Sequence, residues 1–424
     1  MRLKDTRPLN RSVLLNYFLA AATPRSGWQV GMELEKMGRD AASGAALPYD
    51  GDGPSVLSVI EAIRAARGGD PILEADKLIG LDAGWGTISL EPGGQVEWSS
   101  RPYASLDDLR AALDEHLRTM VLVGRQVGVR WVGEAVDPRL PVEAMPWMPK
   151  ARYEIMRPYL GERGELAHRM MTQTASIQCA FDYSDPDDWA RKFRAAALVT
   201  PLAVALFANS SRIDDRDSGY VSFRQAIWRR TDPARCGLPA IVFDDGFGPE
   251  AWLDWVLEVP TMFLHRARGL VPVGGVPFSR LLERVGCTAV KQEDWETHIS
   301  TVFTEVRSYD YIEVRSADLQ ADPLAFSVPS FWTGLLYHAD SLDAALELRR
   351  VVRSHADWLS AMDSAARHGL VGTIGGHPIG ALAAEMLSAS LKGLRGGAAC
   401  AGSSGAAARA VELLAEHRSL EVAA

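Results

Sequence analysis

One stretch of the chain decides the fold that we expect: GTISLEPGGQVEWSS, from Gly86 to Ser100. Polar and apolar residues alternate on both sides of a Pro-Gly-Gly sequence, a pattern that is typical of a β-hairpin. Because successive side chains of a strand point to opposite faces, this hairpin has one apolar face and one polar face. The polar face carries two carboxylates, Glu91 and Glu97.

Three distant segments show the same alternation. They are WQVGMELEK from Trp28 to Lys36, SIQCAFD from Ser176 to Asp182, and DYIEVRS from Asp310 to Ser316. Each predicts a strand whose apolar face packs on the core. Their polar faces carry Glu33, Glu35, Gln178, Ala180, Asp182, Glu313 and Arg315. If these strands join the hairpin in one sheet, all of these side chains lie on the same face.

So many carboxylates on one face favour a metal site. The outward positions include no lysine, and their acidic residues are Glu33, Glu35, Glu91, Glu97, Asp182 and Glu313. Such neighbours repel one another unless divalent cations lie between them, so we expect a sheet that holds Mg2+ and nucleotide phosphates. The alternative is a set of ordinary half-exposed strands whose polar side faces water, since alternation alone is common.

The composition is that of a large globular protein. The chain has 424 residues, 47% of them hydrophobic, which is enough to bury a sizeable core in one domain or several. Its formal net charge is −9, and no basic run exceeds two residues, so we expect no nucleic-acid partner. Because no apolar stretch reaches the length of a membrane span, we expect no membrane partner either.

The N-terminus and the cysteines favour the cytoplasm. The apolar run over residues 13–22 is interrupted by Asn16 and Tyr17, which predicts an amphipathic helix capped by Asn10 or Ser12 and not a signal peptide. Four cysteines are scattered without CxxC spacing: Cys179, Cys236, Cys287 and Cys400. This pattern argues against structural zinc and for a reducing compartment.

Two segments rich in basic residues are candidates for anion binding. In MPKARYEIMRPYL, Arg152 and Tyr153 follow two prolines, which is consistent with an anion-binding segment or with a solvated helix start. In GYVSFRQAIWRRTDPARCG, the guanidinium of Arg224 matches a substrate carboxylate, and Trp228 lies one turn later and could cover it. An arginine-rich surface helix is the equally weighted alternative. His298, on a helix, is expected to be an ordinary core or surface histidine.

The last part of the chain has a different composition. From Arg367 it is rich in alanine and glycine, and GLRGGAACAGSSGAAARA is expected to interrupt two alanine-rich helices. No internal repeat is evident. We therefore expect one catalytic domain over residues 1–424, with a sheet-bearing core at about 25–340 and a helical C-terminal portion at about 341–424.

Taken in order, these segments resemble the bacterial and plant type of glutamate-cysteine ligase. The matching runs cover most of the chain from Met32 to Tyr337: GMELEKMG, ISLEPGGQVEWSS, MPKARYEIMRPYL, the Gln178 strand, ARKFRAAALVTPLAVALFANS, GYVSFRQAIWRRTDPARCG, FDDGFG, DWETHISTVFTEVR, YIEVRSAD and PSFWTGLLY. The resemblance implies an α+β fold like that of glutamine synthetase. In this fold an antiparallel sheet is wrapped by helices and carries an ATP and metal site on its concave face.

The resemblance also implies the reaction. ATP phosphorylates the γ-carboxylate of L-glutamate, and the amine of L-cysteine then displaces phosphate to give γ-glutamylcysteine, the first step of glutathione biosynthesis. ATP is a co-substrate, and two or more Mg2+ ions are expected as cofactors. The implied metal ligands are Glu33, Glu35, Glu91, Glu97, Glu313 and Gln178. The implied catalytic residues are Arg315 and Glu313, and Arg315 is expected to contact the transferring phosphoryl group. The implied substrate-binding residues are Arg224, Trp228, Arg152 and Tyr153.

Some positions depart from the family pattern. Leu34 stands where relatives often have histidine, Ala180 where many have asparagine, and Thr304 where proline is usual. Ala180 shares the functional face, so it could alter the acceptor or metal pocket, and the region beyond about His338 matches poorly.

The alternatives are a γ-glutamyl ligase with another amine acceptor, one that serves ergothioneine biosynthesis, or an inactive relative that binds glutamate or a nucleotide. We expect a monomer or a homodimer.

Overall fold

The computed structural model describes residues 9–284, 289–420 and 422. Numbered in chain order, the strands of its main sheet are β1 Val30–Lys36, β3 Asp70–Glu74, β4 Lys77–Ala83, β5 Gly86–Leu90, β6 Val96–Ser100, β8 Ser176–Phe181, β15 Val306–Ser308 and β16 Ile312–Asp318. The strands that pair outside it are β2 Gly38–Asp40 with β7 Val129–Trp131, β9 Arg212–Ile213 with β10 Arg216–Asp217, β11 Cys236–Gly237 with β14 Phe303–Thr304, β12 Pro260–Arg266 with β13 Gly269–Pro277, and β17 Thr373–Ile374 with β18 His377–Pro378.

Helices surround the sheet. They are α1 Arg11–Leu19, α2 Val56–Arg67, α3 Leu106–Val127, α4 Ala151–Gly161, α5 Ala167–Gln173, α6 Pro186–Leu206, α7 Phe223–Trp228, α8 Pro249–Glu258, α9 Phe278–Leu282, α10 Gln292–Ser300, α11 Ser327–Leu336, α12 Ala339–Leu346, α13 His355–His368, α14 Ile379–Arg395 and α15 Ala406–His417. Asn10 caps α1 as expected, since its side chain accepts a hydrogen bond from the backbone nitrogen of Val13.

The main sheet has eight strands in the order β15-β16-β8-β1-β6-β5-β4-β3, and every neighbouring pair is antiparallel. The hairpin and the three distant segments are contiguous within it as β16, β8, β1, β6 and β5. The predicted antiparallel sheet wrapped by helices is therefore confirmed. Strands β3, β4 and β15 extend the sheet beyond the segments that the sequence analysis identified.

One face of the sheet packs on helices. Leu34, Ile88, Trp98, Ile177 and Val314 are buried on this face, and α2, α3, α6 and α11 pack against its strands. Trp98 stacks on His116 of α3 with ring centroids 4.7 Å apart. Burial of these apolar side chains fixes the strand register, because a slip of one residue would turn them to the opposite face. The same constraint holds the carboxylates together on the other face.

The expected alanine-rich helices near the C-terminus are α14 and α15, separated by the glycine-rich segment 396–405. Within the described ranges, no helix is both long and apolar enough to cross a membrane. Cys179, Cys236 and Cys400 are free thiols, and Cys287 lies outside the described residues. His298 is buried in the core, which is one of the two placements that the sequence analysis expected.

Candidate active site

The strand register brings the predicted carboxylates together. Glu33 of β1 lies opposite Gln178 of β8 and Ser99 of β6, and Glu35 lies opposite Glu97. On the next strand pair, Glu313 of β16 lies opposite Ala180. The polar face of β16, β8, β1 and β6 is therefore continuous, and the predicted clustering is observed.

Hydroxyl groups orient two of these carboxylates. Ser89 donates to Oε1 of Glu97 at 3.0 Å, and Ser99 donates to the same oxygen at 3.4 Å. Ser176 donates to Oε2 of Glu35 at 2.9 Å. These neutral donors fix the positions of the oxygens without neutralising their charge, so the carboxylates can still bind a cation.

Burial makes the ionised form of these acids costly. It raises the pKa of Glu33 to about 8, with a further contribution from Glu313. Burial also raises the pKa of Glu35, helped by Glu91, and raises the pKa of Glu97 well above its usual value, helped by Glu33. A group of acids that resists losing its protons binds a cation with release of those protons.

Glu313 has the opposite electrostatic environment. Its Oε2 accepts from Nε of Arg307 at 2.9 Å and from Nη1 of Arg315 at 2.7 Å, and Nη2 of Arg307 lies 2.8 Å from the same oxygen. Burial alone would raise the pKa of Glu313, but the two guanidinium groups lower it below its usual value. Glu313 is therefore ionised at neutral pH, and all of these contacts lie on one of its two oxygens.

Arg315 links two strands of the polar face. Besides Glu313, its Nη1 donates to Oε1 of Gln178 on the neighbouring strand. The guanidinium is only partly covered, with 11% of the side chain exposed. It thus lies at the surface of a cavity while its orientation is fixed by two buried partners.

Two adjoining cavities follow this face. The first, here the arginine cavity, has a volume of about 210 Å³ and is lined by Glu33, Glu35, Glu91, Glu97, Gln178, Arg152, Arg307, Arg315, Tyr153 and Trp228, among others. The second, here the carboxylate cavity, has a volume of about 370 Å³ and is lined by Gly31, Glu33, Ser99, Gln178, Ala180, Asp182, Asp310, Tyr311 and Glu313, among others. Glu33 and Gln178 line both cavities, so the two spaces adjoin at these residues.

Three of the four predicted substrate-binding residues line the arginine cavity. Nη2 of Arg152 donates to Ser300 at 3.3 Å, while its Nε has no hydrogen-bond partner in the described chain. Trp228 likewise has a buried Nε1 without a partner there. Tyr153 is buried, and its hydroxyl donates to the carbonyl of Leu90 at 2.8 Å, which holds the strand end just before Glu91. Arg152 and Trp228 therefore line the cavity while one buried donor of each has no partner in the described chain.

Arg224 lies elsewhere. Its side chain is 3% exposed and lines neither cavity. Nη2 donates to the carbonyl of Arg315 at 3.0 Å, and Nη1 donates to the carbonyl of Ser316 at 3.3 Å. Its expected contact with the substrate stays a prediction, and in the structure its guanidinium binds the backbone of the strand that carries Arg315.

Arg307 is a site residue that the sequence analysis missed. It lines the arginine cavity, binds Glu313, and lies over the ring of Tyr309 at 4.5 Å. The signal is the alternation of apolar and polar residues in VRS, where the side chain of Arg307 lies on the face opposite to that of Val306. That strand, β15, has only three residues, which is too short for the alternation to be recognised.

The donor set fits Mg2+. It consists of carboxylate and amide oxygens, the ligands that this hard cation prefers. Within the described residues, no three His, Cys, Asp or Glu side chains converge on one point to form a closed metal site. Mg2+ does not need such a closed site, because it is usually held by one or two carboxylates together with substrate phosphates and water.

Comparisons with known proteins identify the family of the chain. The model of the glutamate-cysteine ligase family 2 matches residues 29–416, well beyond the region in which the sequence showed the resemblance. The chain is 36% identical over 360 residues to the chloroplastic glutamate-cysteine ligase of Brassica juncea, which covers 84% of this chain and 68% of that protein. It is also 36% identical over 360 residues to the chloroplastic enzyme of Arabidopsis thaliana, covering 84% and 67%.

A solved structure supports the fold. The glutamate-cysteine ligase of Francisella tularensis in complex with AMP superposes with a TM-score of 0.54 at 12% identity, covering 92% of this chain and 81% of that one. At this identity the likeness concerns the fold alone.

Proposed function

The chain belongs to the glutamate-cysteine ligase family 2 and is a ligase that joins L-glutamate to L-cysteine in glutathione biosynthesis; we propose that the reaction takes place on the polar face of its sheet, with ATP as co-substrate. The γ-carboxylate of glutamate attacks the γ-phosphoryl group of ATP, which gives an acyl phosphate and ADP. The amine of cysteine then forms the C–N bond, and phosphate leaves with the electron pair of the broken C–O bond.

One observation carries this proposal: the arginine cavity and the carboxylate cavity share Glu33 and Gln178 as lining residues, and Gln178 accepts a hydrogen bond from Arg315. The arginine cavity suits glutamate, because its volume of about 210 Å³ is small and the guanidinium groups of Arg152 and Arg307 line it. The larger carboxylate cavity then receives the nucleotide. Phosphoryl transfer would occur where the cavities join.

Two or more Mg2+ ions would be held by Glu33, Glu35, Glu91, Glu97, Glu313 and Gln178. Bound there, they would neutralise the triphosphate charge that the surrounding carboxylates would otherwise repel. The raised pKa values of Glu33 and Glu97 support this assignment, since burial and neighbouring carboxylates disfavour their ionised forms.

The protein's own groups bind and orient the substrates. Arg315 would stabilise the charge that develops on the transferring phosphoryl oxygens, and Glu313 holds its guanidinium in place. Arg152 and Trp228, which line the arginine cavity, would bind glutamate there, with the guanidinium of Arg152 pairing with a carboxylate. No side chain is required to form a covalent bond with a substrate, because positioning and charge stabilisation carry most of phosphoryl-transfer catalysis.

Further assignments belong to the same proposal. We assign the whole chain to one catalytic domain, because α14, near the C-terminus, packs on α6 and α11 of the sheet-bearing core. The free thiols of Cys179, Cys236 and Cys400 support a reducing compartment, which we take to be the cytoplasm. We also assign the protein as a monomer or a homodimer whose partners are small-molecule substrates only.

The test is ADP release from purified protein with ATP, Mg2+ and glutamate, measured with cysteine, with 2-aminobutyrate and with other amines as acceptors. ADP release that requires cysteine, together with the mass of γ-glutamylcysteine, would support the proposal. ADP release that depends on a different amine and ignores cysteine would overturn the acceptor while keeping the site. No ADP under any condition would point to a binding protein without activity.

A further inference from the structure

The strand that carries Arg315 is irregular at that residue. β16 pairs with β8 through Glu313 opposite Ala180 and Val314 opposite Cys179, but the pairing resumes with Ala317 opposite Ile177. Arg315 and Ser316 therefore lie together opposite the single residue Gln178. This is the arrangement of a β-bulge, which re-aims side chains and is frequent beside active sites.

A bulge leaves backbone carbonyls outside the regular ladder, and α7 supplies donors to both of them. Nη2 of Arg224 donates to the carbonyl of Arg315 at 3.0 Å. The carbonyl of Ser316 accepts from Nη1 of Arg224 at 3.3 Å and from Nε2 of Gln225 at 3.0 Å. Arg224 is 2% exposed and Gln225 is fully buried, so water does not compete for these carbonyls.

The donors are held rigidly, because α7 is attached to the end of the same strand. Asp318, the last residue of β16, accepts from Oγ of Ser222 at 3.1 Å and from Oγ of Ser210 at 2.7 Å. The backbone nitrogen of Asn209 also donates to Asp318 at 2.9 Å. Ser222 directly precedes α7, so the helix start is joined to the strand end just after the bulge.

We propose that Arg224 and Gln225 are positioning residues, which fix the bulge in β16 and thereby aim the guanidinium of Arg315 at the phosphoryl group. This inference rests on the proposed function of Arg315. A side chain that leaves a bulge points in a direction set by the bulge geometry, and the donors from α7 set that geometry. The inference gives Arg224 a role that differs from direct contact with glutamate, and the two roles have different kinetic consequences.

The main test is Gln225→Met, which keeps the volume and removes the donor to Ser316. Because Arg315 would act on the transition state and not on bound substrates, kcat is expected to fall by roughly 10- to 100-fold. The KM values for glutamate, ATP and cysteine should each stay within about threefold. Ser390→Ala is the matched control, because Ser390 is a buried donor to the carbonyl of Phe331 at 2.9 Å, remote from the site.

Three results would overturn the inference. The first is an unchanged kcat in Gln225→Met, and the second is a raised KM in this variant with kcat intact. The third is a fall in kcat that is no larger than the fall in Ser390→Ala, measured where the two variants have equal thermal stability. If Gln225→Met does not fold, Arg224→Lys replaces it, since lysine cannot span both carbonyls. A fall in kcat at constant KM for glutamate supports positioning, whereas a raised KM for glutamate with kcat intact overturns it and supports direct contact.

Arg315→Lys separates this inference from the proposed function. If Arg315→Lys loses most of its turnover while Gln225→Met and Arg224→Lys do not, only the positioning role fails. If Arg315→Lys turns over normally, the assignment of Arg315 fails, and the positioning role fails with it.

Discussion

Glu35 and Glu97 lie directly opposite each other on the neighbouring strands β1 and β6. Directly opposed like charges destabilise an antiparallel pair, whereas opposed pairs of opposite charge stabilise it. No described residue forms an ion pair with either side chain, and both receive hydrogen bonds from serine hydroxyls. The sheet therefore retains a repulsive pair at its centre, which is consistent with a site built for cations.

The first prediction concerns the stability of the metal-free protein. The pKa of Glu33 is raised from 4.5 to about 8 by burial, and that of Glu97 is raised well above 4.5. The unfolded chain therefore releases these protons at a lower pH than the folded protein does. The thermal midpoint in EDTA should fall as the pH rises from about 4.5 through about 8.

Calorimetry at pH 5, 7 and 9 would measure this loss. Glu97→Gln should show a smaller loss than the wild type, because it removes one of the acids, and saturating Mg2+ should reduce the loss in the wild type. Parallel curves for wild type and variant would exclude Glu97 from the repulsive cluster.

Glu313→Gln should reduce kcat by roughly 100-fold or more while the fold stays intact, because it leaves the guanidinium groups of Arg307 and Arg315 without their carboxylate. Steady-state rates and circular dichroism would check this. Glu385→Gln is the control, since Glu385 pairs with Arg350 at the exposed surface at 2.8 Å. Near-normal rates for Glu313→Gln in saturating Mg2+ would remove Glu313 from the site.

Arg152→Met tests the assignment of the arginine cavity to glutamate. The KM for glutamate should rise by about tenfold or more, and the KM for ATP should rise much less, since a charged contact to a carboxylate is lost. Arg157→Met on the same helix is the control, because Arg157 lies over the ring of Trp147 at 4.4 Å. Equal effects on both substrates would place Arg152 outside the glutamate site.

The buried His298 predicts a loss of stability in acid. Burial lowers its pKa from 6.5 to about 3, and its Nε2 contacts the carbonyl of Val256 at 2.9 Å. Below pH 6.5 the unfolded chain binds a proton that the folded protein does not, so stability should fall as the pH decreases toward 3. The contribution at pH 5 is about 2 kcal/mol.

Denaturant unfolding of wild type and His298→Gln at pH 7 and pH 5 would measure this effect. The variant should lose less stability between the two values, because glutamine does not titrate. An equal loss in both proteins would mean that other groups dominate the acid response.

The polar face could be predicted from sequence because strand alternation is a local property. Glu33, Gln178 and Glu313 are far apart in the chain, yet each segment alone shows which side chains share a face. The apolar partners of these residues then fix the register, so the clustering follows once the strands pair.

The role of Arg224 could not be predicted in this way. α7 has only six residues and is buried over residues 223–227, so the sequence gives no amphipathic pattern that shows which side faces the strand. The bulge at Arg315 arises from pairing with a segment more than 130 residues away, and no local signal marks it. Arg307 was missed for a related reason, since it lies in a strand of three residues.

The most direct test of the central claim follows the oxygen atoms of glutamate. The account predicts that glutamate labelled with 18O in its γ-carboxylate transfers one labelled oxygen to the released phosphate, in the presence of ATP, Mg2+ and cysteine. Mass analysis of the phosphate and of γ-glutamylcysteine would show the transfer. Unlabelled phosphate formed together with the product would contradict the account, because the γ-carboxylate would then not have been activated by ATP.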